Sequence, residues 1–269
     1  MQRDLEGRIA IVTGAGSSGP GWGTGKAIAV TFARAGAKVV LVDVKKEACK
    51  ETIDLVLGEG GHAFPITADV ADAEQVKGIV EQCIDHYGAV DIVVNNVGIA
   101  LGQGLLQETE EQFDRTLAVN TRSVFLMCKY AMPHLLKSAA ARILNIASIA
   151  AMRVTPMPPS YGYCASKAAL VQMTRATALE FASRGVRCNT IVPGMLDTPI
   201  VYSALRKFGR TEEQIKQVVA SRDRASPTGK QGTAFDIAEA ALFLASDRAG
   251  FINGTELVID GGHIQAVAS

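Results

Sequence analysis

Seven short apolar runs recur along this chain, separated by longer stretches in which apolar residues return at helical spacing. The runs are Ile9–Thr13, Lys38–Asp43, His62–Thr67, Asp91–Asn95, Arg142–Ala147, Val186–Val192 and Glu256–Ile259. Helix-like stretches include Gly25–Ala35, Lys45–Leu57, Asp72–Tyr87 and Phe235–Ala245. Strands that are apolar almost throughout must be covered on both faces, which calls for a parallel sheet with helices on either side. The pattern continues from end to end of the 269 residues without a low-complexity linker or an internal repeat. The expectation is one α/β domain over 1–269, doubly wound, with a seven-stranded parallel sheet flanked by helices. A hydrophobic content of 48% supplies the core for it.

Charge and cysteine usage narrow the function classes. Lys plus Arg is 27 and Asp plus Glu is 27, a formal net charge of +0. That balance creates no global field for nucleic acid or an anionic membrane. The start of the chain is charged, and no apolar stretch reaches the ~18 residues of a membrane span. The five cysteines (Cys49, Cys83, Cys128, Cys164, Cys188) are scattered, odd in number and never spaced as C-x-x-C. They are expected to be free thiols in a cytoplasmic protein, and no metal site is expected.

The first strand runs into a glycine-rich turn, Gly14-Ala15-Gly16-Ser17-Ser18-Gly19-Pro20-Gly21-Trp22-Gly23-Thr24-Gly25, and a helix follows from Lys26. Glycines let the backbone approach a pyrophosphate closely, and the helix N-terminus offers unpaired N–H groups with a favourable dipole. The second strand ends in Asp43. A carboxylate there accepts hydrogen bonds from both ribose hydroxyls of an adenosine and repels a 2′-phosphate, which favours NAD over NADP. Lys45 and Lys46 follow directly and read as the solvated start of a helix.

Further on lies Tyr163-Cys164-Ala165-Ser166-Lys167, preceded by Asn120 and Ser148. Residues four apart share a helix face. A phenol with a pKa of about 10 is a poor proton shuttle at neutral pH, and a neighbouring ammonium should pull that value down. Tyr161 is near but has no lysine four positions on.

Taken together and in order, these motifs resemble the short-chain dehydrogenase/reductase family, and the likeness covers essentially the whole chain. Thr13-Gly14 with Gly23-Thr24-Gly25 resembles its cofactor loop, and Asp69-Val70 its adenine-pocket pair. Asn95-Asn96-Val97-Gly98 is similar to its Asn-Asn-Ala-Gly, with Val97 in place of alanine. Asn120, Ser148, Tyr163 and Lys167 match its catalytic tetrad. Pro193-Gly194 followed by Leu196 and Thr198 looks like the loop that holds the nicotinamide carboxamide, and a substrate loop is expected at about 195–230.

The resemblance implies a Rossmann-type fold and hydride transfer between a nicotinamide and a secondary alcohol or ketone. Tyr163 would be the acid–base group and Ser148 would hydrogen-bond the substrate oxygen. Lys167 would lower the Tyr163 pKa and hold the nicotinamide ribose, while Asn120 anchors a water leading to solvent. It also implies a homo-oligomer, most often a tetramer; the apolar content of Asp114–Lys137 and Tyr163–Phe181 agrees.

Two departures stand out. Ala15 to Trp22 is eight residues where the family's loop has three, and fifteen positions separate Ser148 from Tyr163 where thirteen is commoner. The second insertion falls in Pro156–Pro159. Trp22 either packs within the first insertion or lies over the adenosine. Candidate substrate-pocket residues are Ile99, Leu101, Met152, Arg153, Val154, Met157, Met195, Leu196 and Tyr202, a mainly apolar set. Arg153, or Arg222 with Arg224, offers an alternative anchor for a carboxylate or phosphate. Two other functions fit the sequence less well. Asp43 argues against an NADPH-dependent 3-oxoacyl-thioester reductase, and a complete tetrad argues against a non-catalytic NAD sensor.

Overall fold

The computed structural model describes residues 3–154 and 159–266. Among them, seven strands form one sheet: β1 (Ile9–Thr13), β2 (Lys38–Asp43), β3 (His62–Thr67), β4 (Ile92–Asn95), β5 (Arg142–Ile146), β6 (Arg187–Pro193) and β7 (Glu256–Ile259). Their order is β3-β2-β1-β4-β5-β6-β7 and every pairing is parallel. The strands match the apolar runs to within a residue or so at each end.

Alternation along the strands explains the two layers. Ala10, Val12, Val39 and Leu41 face a core shared with α1 (Thr24–Arg34) and α9 (Ala234–Ala245), through Ile28, Phe32, Ile237 and Ala241. Ile9, Ile11, Val40 and Val42 face the other way, onto α3 (Ala73–Tyr87) and α5 (Ser123–Leu135), meeting Ile79, Val80, Leu126 and Met127. Strands β1, β2, β4, β5 and β6 are therefore covered on both faces, as their unbroken apolar runs require, while the edge strands β3 and β7 are only partly covered.

Local chemistry sets the helix ends. Asp72 caps α3 by accepting from the Gln75 amide, and Gly88 closes it in the left-handed region at φ 84°. The expected helix Lys45–Leu57 splits into a 3-10 turn, Lys46–Cys49, and α2, Lys50–Gly58. The remaining helices are α4 (Glu110–Leu117), α6 (Tyr161–Phe181), α7 (Pro199–Lys207) and α8 (Glu212–Ala225). A π-helical turn, Ala118–Arg122, joins α4 to α5.

The order of strands reverses between β1 and β4. In doubly wound sheets a ligand binds outside the strand C-termini at that reversal. The turns after β1, β4, β5 and β6 lead from those ends and carry several of the residues singled out above.

Candidate active site

The β1 and β4 turns are stitched together. Thr13 Oγ1 donates to the Val94 carbonyl (3.2 Å) and accepts from the Asn96 amide (3.0 Å). The Asn96 carboxamide donates to the carbonyls of Thr13 (3.0 Å) and Gly14 (3.1 Å). Gly14 takes φ +63°, which few L side chains tolerate. Gly25, in the first turn of α1, packs so closely that a Cβ there would lie 1.9 Å from the Gly14 carbonyl oxygen. Gly25 therefore lets the N-terminus of α1 approach the strand turn.

The extra residues form a built strap. Its first part rests on the segment after β2: the Gly16 amide donates to Asp43 Oδ2 (3.2 Å), and Thr52 Oγ1 donates to the Ala15 carbonyl (2.9 Å). Its last part is pinned by buried Lys26, which donates to the Gly21 carbonyl (3.1 Å), pairs with Glu51 (2.6 Å) and sits 4.6 Å from the Trp22 ring centre. Trp22 packs on Phe235 of α9 at 4.7 Å between ring centres, so packing is its role here. The middle reaches α7, where Ser203 Oγ donates to the Ser18 carbonyl (3.2 Å). A groove of about 240 Å³ lies along that contact, lined by Gly19, Pro20, Pro199, Tyr202, Ser203 and Arg206.

Asp43 stands half-buried at the end of β2, its second oxygen accepting from the Lys45 amide (3.2 Å). Lys45 and Lys46 are exposed. Asp69 accepts from Arg115 (2.8 Å) and from the Ala71 amide (2.9 Å). Burial pushes that carboxyl up, but the Arg115 and Ala71 hydrogen bonds outweigh it and hold it below its ordinary value. Val70 beside it is buried. The Arg115 contact had no signal in the sequence, because 46 residues separate the partners.

Tyr163 and Lys167 lie one helical turn apart on α6, with Lys167 Nζ 5.7 Å from the phenol ring centre. The ammonium donates to the Ile146 carbonyl (2.8 Å), at the end of β5. Burial drives the Lys167 pKa down to about 8. Burial also raises the Tyr163 phenol, opposed by a hydrogen bond with Ser148 and helped by the neighbouring Cys164. The expected lowering of Tyr163 by Lys167 is therefore not what the free protein displays. The cation is itself desolvated and spent on a main-chain carbonyl, so loss of water dominates both groups.

Ser148 follows β5, with its hydroxyl accepting from the Ala150 amide (3.2 Å). Asn120 lies buried within the π-helical turn, where such distortions often mark functional positions. Its Nδ2 donates to the Ile99 carbonyl (2.8 Å) and Ser166 Oγ (2.9 Å), and its Oδ1 accepts from the Ile99 amide (2.8 Å). Both amide hydrogens are used, which leaves one lone pair on Oδ1 to anchor a water. Gly98 keeps room for it: the site of a missing Cβ is 3.0 Å from Lys167 Nζ and 3.9 Å from Asn120 Oδ1.

On the β6 side, the Gly194 amide donates to the Ile259 carbonyl (2.8 Å), and a Cβ at Gly194 would fall 2.5 Å from Asp260 Cβ. Pro193 ends β6 and Leu196 bridges to Gly232. Thr198 is the buried residue that precedes α7. Of the proposed anion anchors, Arg224 is exposed, and Arg153 and Arg222 are otherwise engaged. Arg153 donates to the carbonyls of His263 (2.8 Å) and Ala266 (2.9 Å), and Arg222 to Gln231 Oε1 (2.6 Å) and the Leu196 carbonyl (3.2 Å). Met157 and most of the Pro156–Pro159 stretch lie outside the described residues.

A family profile described as enoyl-(acyl carrier protein) reductase matches residues 19–263. A 2,5-dichloro-2,5-cyclohexadiene-1,4-diol dehydrogenase of Sphingobium indicum is 39% identical over 97% of this chain and 98% of its own. The crystal structure of a protein assigned to the short-chain dehydrogenases/reductases, from Burkholderia xenovorans, superposes with TM-score 0.93 at 41% identity, covering 98% of this chain and 99% of that one. The chain belongs to the short-chain dehydrogenase/reductase family. A further member, the 2-(R)-hydroxypropyl-CoM dehydrogenase of Xanthobacter autotrophicus, is 37% identical over 95% of this chain and 98% of its own. As a short-chain dehydrogenase/reductase, the protein is an oxidoreductase that works with a nicotinamide cofactor. The glycine cradle at Gly14 and Gly25 and the carboxylate of Asp43 fit such a dinucleotide.

Proposed function

We propose that this enzyme is an NAD-dependent dehydrogenase of secondary alcohols, or reductase of the matching ketones, with Tyr163 as its acid–base group. The observation that carries the reading is one cluster: the Tyr163 phenol, whose pKa Ser148 lowers against the effect of burial, and the Lys167 ammonium one helical turn on, 5.7 Å from the ring centre. Gly14, Gly23, Thr24 and Gly25 would cradle the pyrophosphate. Asp43 would hold the adenosine ribose, and Asp69 with Val70 would border the adenine. Asn96 and Gly98 would shape the floor of the site, and Pro193, Gly194, Leu196 and Thr198 would border the carboxamide.

Bound nicotinamide supplies the hydride acceptor in oxidation and the donor in reduction. In oxidation Tyr163 must first give up its own proton, by way of Lys167, and then takes the hydroxyl proton as the phenolate; in reduction its phenol gives one to the carbonyl oxygen. A phenol raised above its ordinary pKa is held protonated, ready for the second role. Ser148 hydrogen-bonds the same oxygen as charge shifts on it. Lys167, near 8, exchanges protons at ordinary pH, and Asn120 Oδ1 beside Gly98 gives a water a place to carry them out.

Substrate preference is read from the loops around Tyr163. Ile99, Leu101, Met195 and Leu196 are half-buried, and Met152 and Val154 stand exposed at the rim. With Arg153 and Arg222 committed elsewhere, the cleft suits an apolar, alicyclic alcohol. The two relatives above act, by their names, on hydroxyl compounds. A panel of cyclic and acyclic secondary alcohols and ketones, run with both cofactors and followed by nicotinamide absorbance, tests the reading. Turnover of cyclic alcohols with NAD is expected; a preference for NADP, or for acyl thioesters, would contradict it.

A further inference from the structure

Helix α6 carries Tyr163 in its first turn, yet that turn has no acidic residue of its own. The negative charge favoured at a helix N-terminus comes from elsewhere in the chain. Glu108, in the loop between β4 and α4, points its carboxylate at the free amides: Oε2 accepts from Tyr161 (2.6 Å) and Oε1 from Gly162 (3.0 Å). The Ser160 hydroxyl donates to Oε1 (3.3 Å) while accepting from the Tyr163 amide (3.4 Å). The three leading amides of the helix are thus satisfied by one carboxylate and the hydroxyl it holds.

The same loop grips the chain just before the helix, where the Gly104 amide donates to the Pro159 carbonyl (2.7 Å). Two glycines keep space for the carboxylate. A Cβ at Gly102 would lie 2.1 Å from Glu108 Cγ, and one at Gly162 would lie 2.9 Å from Glu108 Oε1. The helix start is therefore clamped along its own axis, two residues before the phenol.

We propose that Glu108 is a positioning residue for Tyr163, fixing the height of α6 so that the phenol meets the substrate oxygen beside Ser148. The inference rests on the acid–base role given to Tyr163 above. Glu108 makes no contact with the glycine cradle, Asp43 or Lys167 among the hydrogen bonds and ion pairs of the described residues, so its effect should fall on turnover and spare cofactor affinity.

The test compares Glu108→Ala and Glu108→Gln with the parent enzyme, on the best alcohol of the panel, with NAD affinity measured separately by binding. A misplacement of about 1 Å costs on the order of 100-fold in rate, so Glu108→Ala should lose about 10- to 100-fold in kcat. Its affinity for NAD should stay within about two-fold, and Glu108→Gln, which keeps the volume and one of the two acceptor oxygens, should recover part of the loss. Unchanged kcat in Glu108→Ala would overturn the proposal. So would kcat and NAD affinity falling by the same factor in both variants, the mark of general structural damage. Tyr163→Phe is assayed alongside: if it keeps its turnover, the acid–base reading itself fails; if it loses turnover while Glu108→Ala does not, only the present inference does.

Discussion

A lysine buried in a helix and bound to a strand carbonyl is costly while it is charged. Lys167 has that environment, and burial brings its pKa from 10.5 to about 8. Between those values the unfolded chain holds more protons than the folded one, so this residue's penalty is full below about pH 8 and is relieved as pH rises to about 10.5. Compared with Lys167→Met, the free enzyme should therefore gain stability across that window, by on the order of 3 kcal/mol. Denaturant unfolding at several pH values measures the difference, and parallel curves for the two proteins would contradict it. Asp43 shows how a residue's place in the fold can be read from sequence. Its place at the end of an apolar strand identified it, and its half-buried carboxylate now stands beside the glycine turn. Glu108 shows the opposite: its partners are 52 to 54 residues away and nothing local marks it.

At the scale of elements, strands were legible because each is a short apolar run bounded by polar turns, and their ends agree with the structure to within a residue or so. Helix interiors were legible for the same reason. Distortions were not, because the π-helical turn at Ala118–Arg122 and the 3-10 turn at Lys46–Cys49 are imposed by packing rather than by spacing. The strap from Ala15 to Trp22 was visible as surplus length, but only tertiary contacts show what it touches. It bridges α2, α9 and α7, and so ties the glycine-rich turn to α7. Removing Ser17–Gly21 should raise the dissociation constant for NAD by roughly tenfold, since the shortened turn loses its support on α7. Unchanged affinity in a binding titration would make the strap an outer decoration.

For the whole molecule, the parallel, doubly covered sheet followed from the apolar strands, whereas the strand order needed the coordinates. Assembly is the property that the chain leaves open at this scale. Phe125 on α5, Leu179 on α6 and Phe251 before β7 are 53%, 83% and 105% exposed. Large apolar side chains left in water commonly mark interfaces. We expect a homo-oligomer, a tetramer by family resemblance, and sedimentation at micromolar concentration should show it; a monomer there would refute this reading.

The measurement closest to the central claim is the turnover of Tyr163→Phe, set beside its affinity for NAD. That change deletes one oxygen and keeps the ring, so the proton transfer is lost while the glycine cradle and Asp43 stay intact. The account predicts a fall in kcat of about 100-fold or more with binding within a few-fold of the parent enzyme. Turnover close to that of the parent would mean the proton passes through another group.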